Sequence, residues 1–412
     1  MVKVDPPVEE AASPVDPGDP RLESGEAWSA LCDTLKASAE RVLGEGVPAT
    51  PRDRAEGFRY LTRFLAAGIA SCVTNDDPDH PLFTRMIDYS APWGLDNPDC
   101  LYLYAPLRGD AEYRVTGMRG SAHHIDFQVN AGHYSLGSVQ AVTTIGSLDG
   151  FALETDADGR FELLLSAERQ AGNWLEVAPG AEFLLVRQYF DDWEKERPAD
   201  LQIERVGARY PLPAPRSAWV ADHLEKLSRW IEQGGALWEK MSRGFLSAEP
   251  NSLIIHQADA ASVHSGMRGL VYGVGNFHCE PGEAVLLEFT PPACHHWGVS
   301  VANWYWEAVE YATHQSSLNG HQATLDRDGV FRAVIAHEDP GVPNWLDPAG
   351  NPKGTLTARF LDAGSVPEIG LRRLPFGELR AALPADSSRI DAAERAASLA
   401  RRRRAVLGRF RS

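Results

Sequence analysis

The stretch that decides the fold is Ser147–Phe161, which reads Ser-Leu-Asp-Gly-Phe-Ala-Leu-Glu-Thr-Asp-Ala-Asp-Gly-Arg-Phe. The same pattern returns 170 positions later, without a gap, at Ser317–Phe331. In both copies an Asp-x-Asp-Gly turn stands between apolar runs, which is typical of a β-hairpin because Asp and Gly tolerate a positive φ. We therefore predict two homologous β units. Seven of the fifteen positions are identical: Ser147/Ser317, Leu148/Leu318, Gly150/Gly320, Asp156/Asp326, Asp158/Asp328, Gly159/Gly329 and Phe161/Phe331.

The similarity between the two copies extends downstream of the turn. The Asn-Trp-Leu segment at Asn173–Leu175 corresponds to Asn344–Leu346 after a one-residue insertion, and Arg187 corresponds to Arg359 after another. Apolar residues alternate along Phe161–Leu165, as in a strand with one apolar face. The period far exceeds the ~20–50 residues of solenoid or propeller repeats. The pattern therefore predicts a duplicated half-domain that is mainly antiparallel β.

Helices are predicted before, between and after the two β units. Apolar residues recur at helical spacing in Ser24–Leu43 and again after Thr50, and Ser217–Met241 gives the clearest amphipathic pattern. Asp386–Leu407 predicts a C-terminal helix. The predicted segments are a disordered leader (1–20), a helical N-terminal region (21–85), the first β unit (86–210), a Pro linker with an amphipathic helix (211–265), the second β unit (266–365) and a basic tail with a helix (366–412).

The net charge of −17 is unevenly distributed along the chain. Leu371–Ser412 holds eleven arginines and four acidic residues, a local charge of +7, so the remainder carries −24. Such an acidic body does not favour nucleic acid, which requires a basic face to displace counterions. The basic tail has three alternative partners: the acidic body, a second subunit in a homo-oligomer, or an anionic surface. We expect Arg401–Arg404 to form a solvated helix end.

Composition also predicts the compartment. No apolar run reaches membrane-spanning length, and the N-terminus lacks the basic-then-apolar pattern of a signal peptide. Met1–Pro20 instead carries five prolines and five acidic residues, a composition typical of disorder. The five cysteines are widely spaced, and their odd number indicates reduced thiols. We therefore predict a cytoplasmic protein without a transmembrane segment.

Two histidine doublets are the main candidates for chemistry. His123-His124 and His295-His296 lie 172 positions apart, and each precedes an apolar strand. Side chains alternate along a strand, so one His of each doublet can face a shared interior, and His124 shares a face with Asp126. His-x-Asp with a distant His is the ligand order of a 2-His-1-carboxylate iron site, which makes His124, Asp126 and His296 candidate ligands of a divalent metal. The alternative is that the strands bury neutral histidines bonded to backbone.

The repeated tryptophans and arginines allow two interpretations each. Trp174 and Trp345 either fill the core beside a locally bonded Asn, or form a cleft rim that stacks on sugars or hydrophobic rings. Arg187 and Arg359 lie in corresponding strands and could bind a carboxylate or sulfate of a ligand. The internal partners that would instead neutralise them are Glu176 and Asp347.

Several motifs together resemble a known family. They are Asp96–Asp99, Tyr113–Gly120, Gly172–Leu175 and Asp339–Asp347. Across Asp96–Leu361 the chain resembles the bacterial domain-of-unknown-function family 1214 (DUF1214). The resemblance implies a predominantly β fold with sandwich-like or jelly-roll packing. It carries over no catalytic residue, because the family has none established.

The sequence leaves three functions open. The first is a small-molecule enzyme for a hydrophobic or aromatic-compatible substrate such as a lipid, a steroid-like compound or an aromatic, with His124 or His296 as general base. Asp126, Arg119 and Trp345 complete that site. The second is non-catalytic binding of a carbohydrate or lipid, and the third is a structural oligomer. Neither the substrate nor any cofactor beyond the candidate metal is identified, and whether the two doublets meet in space stays open.

Overall fold

The computed structural model describes residues 16–138, 142–257 and 270–410. Residues 1–15 of the predicted leader and the predicted start of the second unit at 266 lie outside these ranges. Helices form an N-terminal layer, a connector and a C-terminal element. They are α1 Pro20–Glu23, α2 Glu26–Ala37, α3 Glu40–Leu43, α4 Pro51–Ile69, α5 Ser217–Arg229, α6 Gly235–Leu246, α7 Leu379–Ala382 and α8 Ala392–Arg409.

Local sequence signals explain where these helices begin and end. Thr50 caps α4 in a reciprocal capping box with Asp53, as predicted. The first predicted N-terminal helix is instead two helices, α2 and α3, because α2 ends at Ala37 and α3 begins at Glu40. A π-helical turn at Trp230–Gly234 joins α5 to α6 in one connector. In the described part of the chain no helix is long and apolar enough to cross a membrane.

The first β unit consists of two sheets whose strands pair antiparallel, apart from one parallel pair. The strands are β1 Cys100–Pro106, β2 Tyr113–Met118, β3 His124–Ala131, β4 Thr143–Asp149, β5 Arg160–Ser166, β6 Trp174–Glu176, β7 Ala181–Tyr189 and β8 Asp200–Arg205. The inner sheet has the order β1-β7-β3-β4, and the outer sheet has the order β6-β5-β2-β8.

The second β unit repeats this arrangement. Its strands are β9 Leu253–Gln257, β10 Val271–His278, β11 Glu283–Phe289, β12 His296–Ala302, β13 Ser317–Asn319, β14 Phe331–Ala336, β15 Trp345–Leu346, β16 Lys353–Leu361 and β17 Gly370–Pro375. The inner sheet has the order β13-β12-β16-β10-β9 and the outer sheet β15-β14-β11-β17. Apart from the added edge strand β9, each strand has its counterpart in the same place. The prediction of two homologous, mainly antiparallel β units is confirmed.

Each unit is a sandwich with a hydrophobic core between its inner and outer sheet. In the first unit Phe127 of the inner sheet packs with Leu163 of the outer sheet. In the second unit Phe360 and Leu287 do the same. Because side chains alternate along a strand, the opposite side of each inner sheet is left to be covered by something else.

The helical layer covers both units at once. Trp230, which is fully buried in the connector, packs in one cluster with Phe64 of α4. The same cluster includes Phe183 of β7 and Val274 of β10, one from each β unit. The helices are therefore a shared third layer rather than a separate domain.

The remaining surfaces of the two inner sheets lie against each other. Cys100 and Tyr189 of the first unit pack with Leu270 and Leu361 of the second. This side of the sheets is rich in polar groups, since Asp126 and its neighbours on β3 alternate with the apolar residues of the sandwich core. Buried polar groups require hydrogen-bond partners, which neighbouring residues or a ligand can supply.

Helix α8 docks on the protein's own body through arginines seven residues apart. Arg395 forms an ion pair with Asp339 at 3.0 Å, Arg402 donates to the Tyr311 carbonyl at 2.5 Å, and Arg409 donates to the Pro98 carbonyl at 2.7 Å. The expectation of a solvated Arg401–Arg404 is therefore wrong for Arg402, which is buried because the heptad spacing turns it inward. The flanking arginines of that run are exposed.

Candidate ligand-binding site

The two histidine doublets meet where the β units join. His123, His124, His295 and His296 are here called the histidine joint. His124 and His296 begin the equivalent strands β3 and β12. The His123 ring stacks on His295 with centroids 4.2 Å apart, and its Nε2 donates to the His295 carbonyl at 2.8 Å. The two doublets are therefore equivalent in the fold and adjacent in space.

His296 is held between carboxylates of the other β unit. Its Nδ1 donates to Asp191, and its Nε2 lies 3.6 Å from Oδ2 of Asp99. Burial opposes its charge, but the hydrogen bond to Asp191 and the carboxylate of Asp99 raise the pKa of His296 to about 9. His296 is thus protonated near neutral pH and ties the two units together as a cation.

His124 has the opposite electrostatic character. It is 1% exposed, and burial lowers its pKa to about 4, an effect to which the nearby charge of Arg119 adds. The carboxylate of Asp149 lies 3.8 Å from Nε2 of His124. Arg119 itself donates to the Ala122 carbonyl at 2.9 Å. His124 is therefore neutral near neutral pH, and of the two predicted general bases it is the one that can accept a proton.

Beside the joint lies the inner face, defined as Tyr102, Asp126, Arg187, Tyr272 and Arg359. Tyr102 stands directly across from Arg187 in the β1–β7 register, and Tyr272 stands directly across from Arg359 in the β10–β16 register. Each unit thus contributes one tyrosine–arginine pair. The Arg359 guanidinium lies over the Tyr272 ring at 5.0 Å.

The two arginines have different partners. Arg187 lies across from Asp126, with Nη1 3.4 Å from Oδ2 of that carboxylate. At the equivalent position across from Arg359 the second unit has Gly298. A side chain there would collide with Asp99, because a Cβ on Gly298 would lie 2.6 Å from Oδ2 of Asp99. The glycine therefore removes the carboxylate that would neutralise Arg359.

Arg359 is satisfied by neutral groups alone. Its guanidinium donates to the Leu95 carbonyl at 2.7 Å, to the Thr357 hydroxyl at 2.8 Å and to the Tyr272 hydroxyl at 3.3 Å. Only 8% of the residue is exposed. Among the described residues no carboxylate lies within ion-pair distance of the Arg359 guanidinium. The predicted internal partners, Glu176 and Asp347, are wrong for both arginines, because they lie on the outer sheet or beyond it.

Several inner-face side chains are buried yet keep accessible surface. Burial raises the pKa of Tyr102 and of Tyr272, whereas for Arg187 burial opposes a pKa that neighbouring groups such as Asp126 raise. All three nevertheless retain partial exposure, and Arg187 keeps 16% of its side-chain surface. Burial also raises the pKa of Tyr134, which lies near Arg187 and is likewise partly exposed. Solvent therefore reaches part of each of these side chains.

The predicted metal ligands do not come together. His124 faces Asp149, Asp126 faces Arg187, and His296 is held by Asp99 and Asp191. Over residues 16–138, 142–257 and 270–410 no group of three or more His, Cys, Asp or Glu side chains could hold a metal ion.

The repeated tryptophans have structural partners. The Trp345 indole is buried and donates to the Ala336 carbonyl at 2.8 Å. The Trp174 indole, half-buried, donates to the Ser166 hydroxyl at 3.0 Å. Each stands on an edge strand of a different outer sheet. They are not brought together with the inner face.

Sequence reasoning missed Tyr102 and Tyr272 as site residues. They are separated by 170 positions, the same offset as the Asp-x-Asp-Gly turns. Aligning the strands before the histidine doublets at that offset would have found them. Asp99 and Asp191 were also missed, and nothing in the local sequence marks them as partners of His296.

Comparisons with known proteins identify a family model and similar solved structures. A family model described as a protein of unknown function (DUF1214) matches residues 104–191. The solved structure of an uncharacterised protein from Burkholderia cenocepacia is 34% identical, with a TM-score of 0.82, over 88% of this chain and 99% of that one. A solved structure from Vibrio parahaemolyticus is 13% identical, with a TM-score of 0.43, over 82% of this chain and 100% of that one. No curated protein matches the chain.

Proposed function

The chain belongs to DUF1214, a family of proteins of unknown function, and on that premise we propose that it binds a small organic carboxylate between its two inner sheets. The ligand has a flat, hydrophobic or aromatic body. The inner face supplies arginines for the carboxylate and tyrosines for the body. Small-molecule sites commonly combine an apolar or aromatic lining with a few fixed polar groups.

One observation carries this proposal, namely the Arg359 guanidinium. A buried cation is costly unless it is paired. Arg359 is buried, has only neutral hydrogen-bond partners, and faces Gly298 where its counterpart Arg187 faces Asp126. A ligand carboxylate would supply the missing negative charge, and the planar guanidinium suits bidentate binding of that group.

The tyrosines support a flat ligand body. Tyr102 and Tyr272 lie beside the two arginines, and Tyr189 contacts the His296 ring at a centroid distance of 5.4 Å. Aromatic rings pack against flat hydrophobic groups in stacked or edge-on geometry. The tyrosine–arginine pairs favour an aromatic acid, because a guanidinium binds the carboxylate while the neighbouring ring packs on the flat body.

An enzymatic role would draw on the same surroundings. His124 is neutral and Asp126 lies two residues away on the same side of β3, so a proton could be accepted beside a bound ligand. His296 is a less suitable base, because it is already protonated. Such a reaction requires that the ligand first binds beside His124.

Thermal unfolding with matched ligands tests the proposal. Benzoate should raise the unfolding temperature of the wild type by several degrees, whereas benzamide, of similar shape but without charge, should not. Arg359→Gln should abolish the benzoate effect. Arg332→Gln is the matched control, because Arg332 lies on an outer sheet with its own carboxylates. Equal effects of benzoate on the wild type and Arg359→Gln would contradict the proposal.

A further inference from the structure

Asp126 occupies an unusual position for a buried carboxylate. The residue is 4% exposed, and Arg187 reaches it from the neighbouring strand at 3.4 Å. The same Nη1 atom of Arg187 donates to Oε1 of Gln128 at 2.5 Å, so Asp126 does not hold Arg187 alone. Oδ1 of Asp126 and Nε2 of Gln128 have no hydrogen-bond partner among the described residues.

The charges around Asp126 leave it poorly compensated. Arg187 and Tyr189 face it from β7, Asp149 from the end of β4, and Cys100 from β1. On its own strand His124 is neutral. The Arg187 guanidinium is therefore shared between Asp126 and Gln128, and Asp149, which is partly exposed, stands across from Asp126 as a second carboxylate. Burial raises the pKa of Asp126 to about 7, with Asp149 adding to the shift and Arg187 opposing it.

A ligand carboxylate bound on the inner face would meet the charge of Asp126, which belongs to that face. Two carboxylates at one site cannot both stay ionised at low cost. If Asp126 is protonated, its hydroxyl becomes a donor and the repulsion becomes a hydrogen bond. The unpartnered Oδ1 is the oxygen free to make that bond.

We propose that Asp126 takes up one proton from solvent when a carboxylate ligand binds on the inner face, and donates it in a hydrogen bond to that ligand. This inference rests on the proposed function and names the residue that makes the site specific for acids. The proton moves from water to Asp126, and no bond within the ligand breaks. Affinity for the carboxylate therefore falls as the pH rises through the range in which Asp126 ionises.

Calorimetric titration with benzoate at pH 8 in phosphate and in Tris measures the proton uptake. The wild type should take up close to one proton per benzoate, and its dissociation constant should rise about tenfold per pH unit above pH 8. Asp126→Asn should show no uptake and no such pH dependence. Asp149→Asn is the control, and its uptake should persist.

The outcomes separate this inference from the proposed function. Benzoate binding by the wild type without proton uptake, or uptake that persists in Asp126→Asn, overturns the role of Asp126 but leaves ligand binding intact. No benzoate binding by the wild type overturns both. If Asp126→Asn fails to fold, Asp126→Ser takes its place, and uptake that persists in Asp126→Ser overturns the role of Asp126.

Discussion

At the scale of single residues, the same amino acid takes opposite roles in the two repeats. His124 and His296 are equivalent in the fold, yet burial dominates one and neighbouring carboxylates dominate the other. The difference comes from what each faces: Asp99 and Asp191 hold His296 from the other unit. His296 therefore stabilises the joint as a cation, whereas His124 is neutral near neutral pH.

The charge of His296 should appear in the pH dependence of stability. Its pKa is about 9 when folded and about 6.5 when unfolded. The stabilisation by protonated His296 is thus fully present below pH 6.5 and is lost as the pH rises through 9. It amounts to about 3 kcal/mol of the free energy of unfolding. Urea unfolding from pH 6 to 10 measures this loss in the wild type.

His296→Gln should lack that loss between pH 6.5 and 9. His314→Gln is the control, because the His314 side chain is 39% exposed and contacts Asp347 away from the joint. An unchanged pH profile in His296→Gln would show that another group is responsible.

At the scale of elements, an asparagine ties the same turn in both units. Nδ2 of Asn173 donates to the carbonyls of Glu154 and Glu162, and its Oδ1 accepts from the Glu154 N–H. Asn344 makes the same three bonds with Thr324 and Arg332. The recurring Asn-Trp-Leu segment is therefore a turn clamp that joins the hairpin to the edge strand.

The two clamps form a natural matched pair for mutation. Asn344 is 6% exposed and Asn173 is half-buried. Backbone groups that lose their hydrogen bond to the asparagine are therefore less accessible to water at Asn344 than at Asn173. We expect Asn344→Ala to lower the free energy of unfolding by about 3 kcal/mol and Asn173→Ala by about 1 kcal/mol. Chemical denaturation of both variants measures the difference, and equal losses would contradict the burial argument.

At the scale of the whole molecule, the helices and the joint make one cooperative body. The helical cluster around Trp230 packs on both inner sheets. Across the joint, Asn319 donates to Asp99 at 2.8 Å and to the Phe190 and Asp191 carbonyls at 3.1 Å. If one unit unfolded, the other would lose part of its packing and its hydrogen bonds.

We therefore expect a single unfolding transition despite the two β units. Tryptophan fluorescence and far-UV circular dichroism should give the same midpoint in denaturant. Asn319→Ala should lower both midpoints together, because Asp99 loses a buried donor. Gln202→Ala, at an exposed position of β8, is the control. Two separated transitions in the wild type would show that the units unfold independently.

The fold was largely predictable because its signals are local. The turn at Ser147–Phe161 and its copy define hairpins through residues that tolerate tight turns, and strand alternation and helical spacing follow from backbone geometry. The Thr50 cap is equally local. The break of the first helix at Ser38 was not predicted. The burial of Arg402 was not predicted either, because the docking of α8 decided it.

By itself the sequence determined that the chain contains two equivalent β units, and it marked His124, Asp126, Arg187 and Arg359 as candidates. Only the tertiary structure decided what these residues face. Strand register placed Asp126 beside Arg187 and Gly298 beside Arg359. The packing of one inner sheet on the other buried those groups together. Partners that meet across sheets are distant in sequence, so no local pattern encodes the unpaired charge of Arg359.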